Sequence, residues 1–244
     1  MRAIESHRLI IYILFSWILG SQALLAQAVR TDALFWVAAR WRVELGADIF
    51  LDADVEQRSF LPYRKHQAVR PSLGLRKRFG AHWQAGIAYR NMYAYSPQQA
   101  DLAVDNTSWE QRLTLQAYYY AQNDRHHWQS RLQTEYRNFK PNPAIEGFPS
   151  VVQRLRWRNR WQYDLDDFRI AAYHEILVNW ASNREYQLFD QNRLYAGLVV
   201  PVQDWQFDLG LLHWYQKNRS ATLFYNRWIL RLGIRYHLDL RDRT

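Results

Sequence analysis

The chain has 244 residues, 48% of them hydrophobic and 23% charged, and a formal net charge of +9, the composition of a folded chain rather than a disordered one. It contains no cysteine, which excludes a disulfide framework, a thiolate nucleophile and Cys-ligated zinc or iron–sulfur sites. Aromatics make up 16% of the residues, and Lys65, Lys77, Lys140 and Lys217 are the only lysines among 32 basic side chains.

Residues 1–28 have the layout of a secretory signal peptide. Arg2 and Arg8 give a positive start, Leu9 to Leu19 is an apolar run, and Ala26-Gln27-Ala28 supplies the small residues of a cleavage site. The run is shorter than the roughly 20 residues that a transmembrane helix needs. Residues 29–244 are then expected to form a single exported domain.

From residue 35 onward the dominant signal is strict alternation, the period of a half-buried strand. Eleven segments carry it: 35–45, 48–58, 67–79, 82–94, 107–120, 127–139, 151–163, 168–180, 189–201, 205–217 and 223–238. In the fifth, Trp109, Leu113, Leu115 and Ala117 oppose Glu110, Arg112, Thr114 and Gln116. In the sixth, Arg131, Gln133, Glu135 and Arg137 oppose Leu132, Thr134 and Tyr136. The seventh sets Arg154, Arg156, Arg158 and Arg160 away from Leu155, Trp157 and Trp161, and the last sets Arg227, Arg231 and Arg235 against Trp228, Leu230, Leu232 and Ile234. These segments exceed the usual five or six residues of a globular strand and match the 9–11 of a tilted membrane-spanning one.

Connections alternate too. Short ones fall at Gly80-Ala81, Leu165-Asp166-Asp167 and Val202-Gln203-Asp204, and longer polar ones at 59–66, 95–106, 140–150 and 181–188, with 121–126 a moderately long exception on the short side. Phe79, Trp83, Trp128, Trp161, Tyr163, Phe168 and Trp205 lie near the short turns; Tyr93, Tyr95, Trp109, Trp180, Tyr215 and Tyr225 lie near the long loops. Two aromatic belts flanking an apolar band, with short turns on the periplasmic side, are the pattern of an outer-membrane barrel. The expectation is an all-β, antiparallel, up-and-down transmembrane β-barrel of 10–12 strands. Single-chain bacterial barrels have even strand counts, so the first segment falls short of a full span or a further short strand lies near the N-terminus.

Arg231-x-Gly233-x-x-Tyr236-x-Leu238 in the final segment resembles the signal read by the barrel-assembly machinery of Gram-negative outer membranes, although six residues follow it. Glu56-x-Arg58, Glu110-x-Arg112 with Gln116, Arg131-x-Gln133-x-Glu135-x-Arg137, Arg154-x-Arg156, Glu175 and Phe189-Asp190-Gln191-Asn192-Arg193-Leu194-Tyr195 together resemble the domain-of-unknown-function family numbered 2490. That resemblance covers about residues 35 to 238. It implies an exported bacterial outer-membrane barrel, and brings no activity, ligand or catalytic residue with it.

With the apolar face toward lipid, the polar face lines the lumen. Eighteen Arg then point inward (40, 42, 58, 70, 76, 78, 90, 112, 131, 137, 154, 156, 158, 160, 193, 227, 231 and 235) against eight acids (Glu44, Asp52, Asp54, Glu56, Glu110, Glu135, Glu175 and Asp208). Arg suits such a place because its planar fork pairs bidentately with carboxylates. On one reading the surplus lines a path or site for small anionic solutes, best represented by the four Arg of 154–160. On the other, Arg–Glu ladders cross-link the strands and plug the interior, and the loops carry the function. A third reading is a lipid-modifying enzyme. For it, His174 and His213 point outward, His126 and His127 have only Asp124 nearby, and Ser72 lacks an adjacent base. No nucleophile-elbow, zincin, phosphate-loop or dinucleotide pattern occurs. No catalytic residue, cofactor or metal is assigned. Export argues against nucleic acid as partner of this basic chain; outer-membrane lipid and lipopolysaccharide phosphates, met by Arg64, Lys65 and Lys140, fit better.

Overall fold

The computed structural model describes residues 28–46, 48–61, 66–94, 108–140, 151–180, 189–217 and 223–240. The proposed signal peptide lies outside them but for Ala28, as do most of the long connections, with Arg64, Lys65 and Tyr95.

Alternation over such lengths leaves a strand two chemically distinct faces, and a sheet of such strands can hide one face by curling on itself. Eleven strands do so: β1 (Ala28–Glu44), β2 (Ile49–Leu61), β3 (His66–Phe79), β4 (Trp83–Ala94), β5 (Ser108–Asn123), β6 (His126–Phe139), β7 (Val151–Asp164), β8 (Arg169–Trp180), β9 (Phe189–Val202), β10 (Trp205–Lys217) and β11 (Leu223–Asp239). Each pairs antiparallel with its neighbour in sequence, and β1 pairs with β11 to close the barrel.

The count is eleven, within the expected 10–12, and odd where single-chain bacterial barrels are normally even. Eleven strands in up-and-down succession leave β1 and β11 running the same way, so the seam is a parallel ladder from Ala28↔Leu223 to Glu44↔Asp239. An even count is needed only when the closing pair is antiparallel; a parallel pair is slightly weaker per residue but leaves no open edge. β1 is also no fragment. It spans 17 residues, seven more at its start than the alternation marks. The signal fails there because Leu34 and Trp36 face inward beside outward Ala33, Phe35 and Val37, leaving apolar residues on both faces.

The connection at 121–126 is likewise shorter than expected. Asn123 pairs with His126, leaving a two-residue turn in which Asp124 has φ 44°. Gln203, at φ 53°, plays the same part between β9 and β10. Positive φ at the first turn residue is what a tight hairpin requires of a right-twisted strand pair. The short turns thus form one rim and the long connections the other.

The outer face carries the apolar residues. Leu73, Leu75, Ile87, Leu115, Leu132, Trp157, Leu198, Leu209, Leu211, Leu230 and Ile234 are all exposed there. Phe79, Trp83, Trp128 and Trp205 edge this band at the short-turn rim. Toward the other rim, amides replace apolar side chains on the outer face: Asn91, Gln111 and Asn138 lie directly opposite one another across β4, β5 and β6. Trp83 to Asn91 is eight residues, about 26 Å along a strand. At a tilt of about 40° that gives a height near 20 Å, close to the roughly 25 Å apolar band of a spanning barrel.

Candidate functional site: an arginine-lined lumen

Interior chemistry divides along the barrel axis. In the half nearer the long connections the lumen is filled. Leu34, Trp36, Phe60, Leu212, Trp214 and Ile229 form a buried cluster from β1, β2, β10 and β11. Trp36 and Trp214 meet edge-to-face at 5.6 Å, and the Arg58 guanidinium lies 3.8 Å from the Trp36 ring centroid. Arg193 and Arg227 lie over Trp214 at 5.0 and 4.8 Å. Guanidinium on indole is attractive and lets each Arg stem pack as an apolar group. Tyr195 extends the cluster and donates to Asp208 Oδ1 at 2.7 Å. It fits because Gly210 lies under it; a Cβ there would come within 2.6 Å of the Tyr195 ring.

The opposite wall is closed by charge. Glu110 accepts from Arg112 (Nε 2.5 Å, Nη2 2.9 Å) and from Arg137 (Nε 2.5 Å, Nη2 3.0 Å), so one carboxylate bridges two guanidinium forks. Glu135 accepts from Arg156 at 2.8 Å and Gln133 at 2.6 Å, and lies 3.7 Å from Arg112 and 3.8 Å from Arg154. Glu175 accepts from Arg156 (2.9 and 3.0 Å), Arg131 (2.7 Å) and Arg193 (3.2 Å). These contacts make one chain, Arg137–Glu110–Arg112–Glu135–Arg156–Glu175–Arg193, across β5 to β9. All seven side chains are buried. Each carboxylate serves two or more donors, which is what a buried ion-pair network needs to offset desolvation.

The half nearer the short turns is different. It holds a cavity of about 490 Å³ whose lining runs from Trp36, Arg58, Arg156 and Arg193 at its inner end to Ala81 and His82 in the β3–β4 turn. Thirteen Arg and four carboxylates (Asp52, Asp54, Glu56 and Glu175) line it. Several of these Arg are paired. Asp52 accepts from Arg76 (2.6 Å from each of two nitrogens) and Arg42 (3.0 Å), and Glu56 from Arg58 (2.7 Å) and Arg70 (2.9 Å). Arg90 reaches Asp54 at 3.4 Å. Arg160 and Arg231 come only to 3.7 and 3.9 Å of Asp208. Among the described residues, Arg40, Arg158 and Arg235 have no hydrogen-bond or ion-pair partner. The Arg158 guanidinium lies 5.2 Å from the Tyr173 ring centroid, and Glu175 is directly opposite it on β8. Arg40 and Arg235 are directly opposite each other across the β1–β11 seam.

The sequence-assigned residues therefore separate. Glu110, Arg112, Glu135, Arg137 and Arg154 belong to the filled half. Gln116, Arg131, Arg158, Arg160 and Arg235 line the cavity, and Arg58, Arg156, Glu175, Arg193 and Arg231 touch both halves. Gln116 is engaged by the Tyr118 hydroxyl. The four Arg of β7 do not act as one anion-facing row. Arg154 is held by Asn179 at 2.7 Å and Asp190 at 2.8 Å, and Arg156 by Glu135 and Glu175; only Arg158 and Arg160 lack a close counter-ion. In β11, Arg231 and Gly233 face inward, while Tyr236 packs on Trp205 at 4.7 Å on the outer face.

Several interior residues escape the alternation. Asp190 turns inward through the irregularity opposite Leu177 and Val178. Asp32, 3.3 Å from Arg227, lies in the unmarked start of β1. Tyr225, expected in an outer belt, is 1% exposed inside the lumen with Arg227 over its ring at 4.3 Å. No pattern in the sequence marks these, because each depends on which face a local register selects. His126 and His127 open β6 rather than lying in a loop, and His127 Nε2 is 2.6 Å from Asp164. His174 and His213 lie on the outer face against Asn192 (2.7 Å) and Asn226 (2.5 Å). Among the described residues there is no group of three His, Cys, Asp or Glu placed to hold a metal.

A search of solved structures finds similarity to the outer-membrane expressed OmpT of Vibrio cholerae, at 10% identity and a TM-score of 0.38, covering 71% of this chain and 57% of that one. Nothing matches among curated proteins. A family model does match, over residues 33–225, and by that match the chain belongs to the family described as "Protein of unknown function (DUF2490)".

Proposed function

We propose that this chain is a bacterial outer-membrane barrel that binds a small anionic solute in a blind, Arg-lined lumen opening at the short-turn rim. The observation that carries the reading is the charge of the cavity wall: thirteen Arg against four carboxylates, with Arg40, Arg158 and Arg235 unpaired. Cations left without partners inside a low-dielectric wall are costly, and an anion that enters offsets that cost. Binding is favoured over free passage because the half beyond Trp36 and Arg156 is filled by the indole cluster and the Glu110–Glu135–Glu175 network. The exposed apolar band supports a bilayer location. In that setting residues 1–28 direct export, the last strand is read by the barrel-assembly machinery, the short turns face the periplasm, and lipopolysaccharide surrounds the other rim. The reading contains no catalytic step, cofactor or metal.

The test is planar-bilayer recording of the refolded chain under a salt gradient, beside thermal unfolding in detergent as phosphate is added. The expected result is no steady conductance and a melting temperature that rises with phosphate. Stable anion-selective steps would move the reading from binding to passage. Silence together with an unmoved melting temperature would overturn it.

A further inference from the structure

Two cross-strand Arg pairs stand in the cavity wall. Arg40 opposes Arg235 across the β1–β11 seam. Arg131 opposes Arg158 across β6 and β7. Like charges directly opposite on one sheet face repel. Toward the filled half Arg112 carries the same motif twice, opposite Arg90 and opposite Arg137, and Glu110 sits between the Arg112 and Arg137 forks. In the cavity pairs no carboxylate bridges both forks. Asp54 is directly opposite Arg40 but its contact is with Arg90, and Glu175, directly opposite Arg158, contacts Arg131 but is shared with Arg156 and Arg193.

Arg160 connects the two pairs: it is among the charged groups acting on Arg235 and among those acting on Arg158. Around Arg235 the strongest such neighbours are all cationic, Arg40, Arg42, Arg160 and Arg76, whereas Arg40 also has Asp54 directly opposite it on β2 and Asp208 and Glu56 acting on it. A single monovalent anion leaves most of this field uncompensated. The volume, about 490 Å³, lies within the roughly 300–1,000 Å³ of small-molecule sites. All eleven strands are paired into a closed wall, so the way into the cavity is the short-turn rim, which favours a water-soluble source.

Building on the anion-binding reading above, we propose that the cavity is the site of a compact, water-soluble multivalent oxyanion with three or more negative charges, bridging the Arg40/Arg235 pair and the Arg131/Arg158 pair. Its charged groups do for these two pairs what Glu110 does for Arg112 and Arg137. Planar guanidinium forks suit phosphate and carboxylate oxygens alike, and Tyr118 and Tyr120 in the lining add hydroxyl groups.

The experiment is calorimetric titration of the full chain, refolded in a non-ionic detergent, with phosphate, pyrophosphate, triphosphate and citrate at one ionic strength. Affinity is expected to rise about tenfold or more from phosphate to triphosphate, with one triphosphate per barrel. Arg235→Gln and Arg158→Gln should each weaken triphosphate about tenfold and phosphate much less, because each removes one end of the bridge. Arg125→Gln, on the exposed rim, should change neither. Citrate equal to triphosphate assigns the ligand to polycarboxylates and citrate no better than phosphate assigns it to oligophosphates; both support the site. Equal affinity for phosphate and triphosphate, or a loss caused by Arg125→Gln and not by Arg235→Gln, overturns this proposal and leaves simple anion binding standing. No binding of any of the four overturns both.

Discussion

Arg112 and Arg137 in the filled half, and Arg40 and Arg235 in the open half, are the same arrangement: two guanidiniums directly opposite on neighbouring strands. The first pair is held by Glu110 with four short hydrogen bonds and is buried; the second has nothing between its members. The difference teaches that an inward Arg in this barrel has no fixed role. Where a carboxylate on an adjacent strand reaches it, it is a cross-link and part of a plug. Where none does, it is an unsatisfied cation facing a cavity, and the requirement for an anion passes to whatever enters.

Substitutions can break that contrast. The largest effect is expected from Glu110→Gln. It strips both forks of Arg112 and Arg137 of their counter-ion at a buried site and should cost about 3–5 kcal/mol, read as a lower urea midpoint or as failure to refold. Next comes Trp214→Ala, which removes the ring that Trp36, Arg193 and Arg227 pack against. Loss of about 3 kcal/mol is expected, from the lost burial and the void left behind. The same variant should give the barrel a conductance in planar bilayers that the unaltered chain lacks.

Arg235→Gln should act with the opposite sign. Removing one of two opposed, unpaired cations is expected to stabilise the ligand-free barrel by up to about 1 kcal/mol, seen as a raised melting temperature without added anions. A fall in stability comparable to that of Glu110→Gln would show that the two halves are not energetically different. The smallest effect sharpens the comparison by adding what the cavity lacks. Gln129 lines the cavity directly opposite Arg160. Gln129→Glu should stabilise by about 0.5 kcal/mol and weaken anion protection in the same thermal assay, since the new carboxylate competes with the ligand.

Much of this was legible in advance, for reasons that can be named. Alternation at Trp109–Ala117 or Gln129–Arg137 left no choice of face, so those strands and their inward Glu and Arg follow from the order of residues alone. Where both faces are apolar the sequence is silent. Leu34 and Trp36 in β1 have apolar neighbours on the opposite face, and Tyr225 in β11 reads as a member of an outer belt; all three turn out to fill the lumen. Asp190 reaches Arg154 only because the β8–β9 register shifts beside it.

By itself the sequence determined the elements: eleven long strands with one apolar and one Arg-rich face, joined by short turns at one rim and long connections at the other. It could do so because a strand's faces are set locally, by a period of two. Only the tertiary structure decided which charges meet. Pairing depends on the register between strands and on the parallel seam, which brings Arg40 opposite Arg235 from ends of the chain 195 residues apart. One composition of inward Arg and Glu therefore yields a plug in one half of the lumen and an open, positively charged cavity in the other.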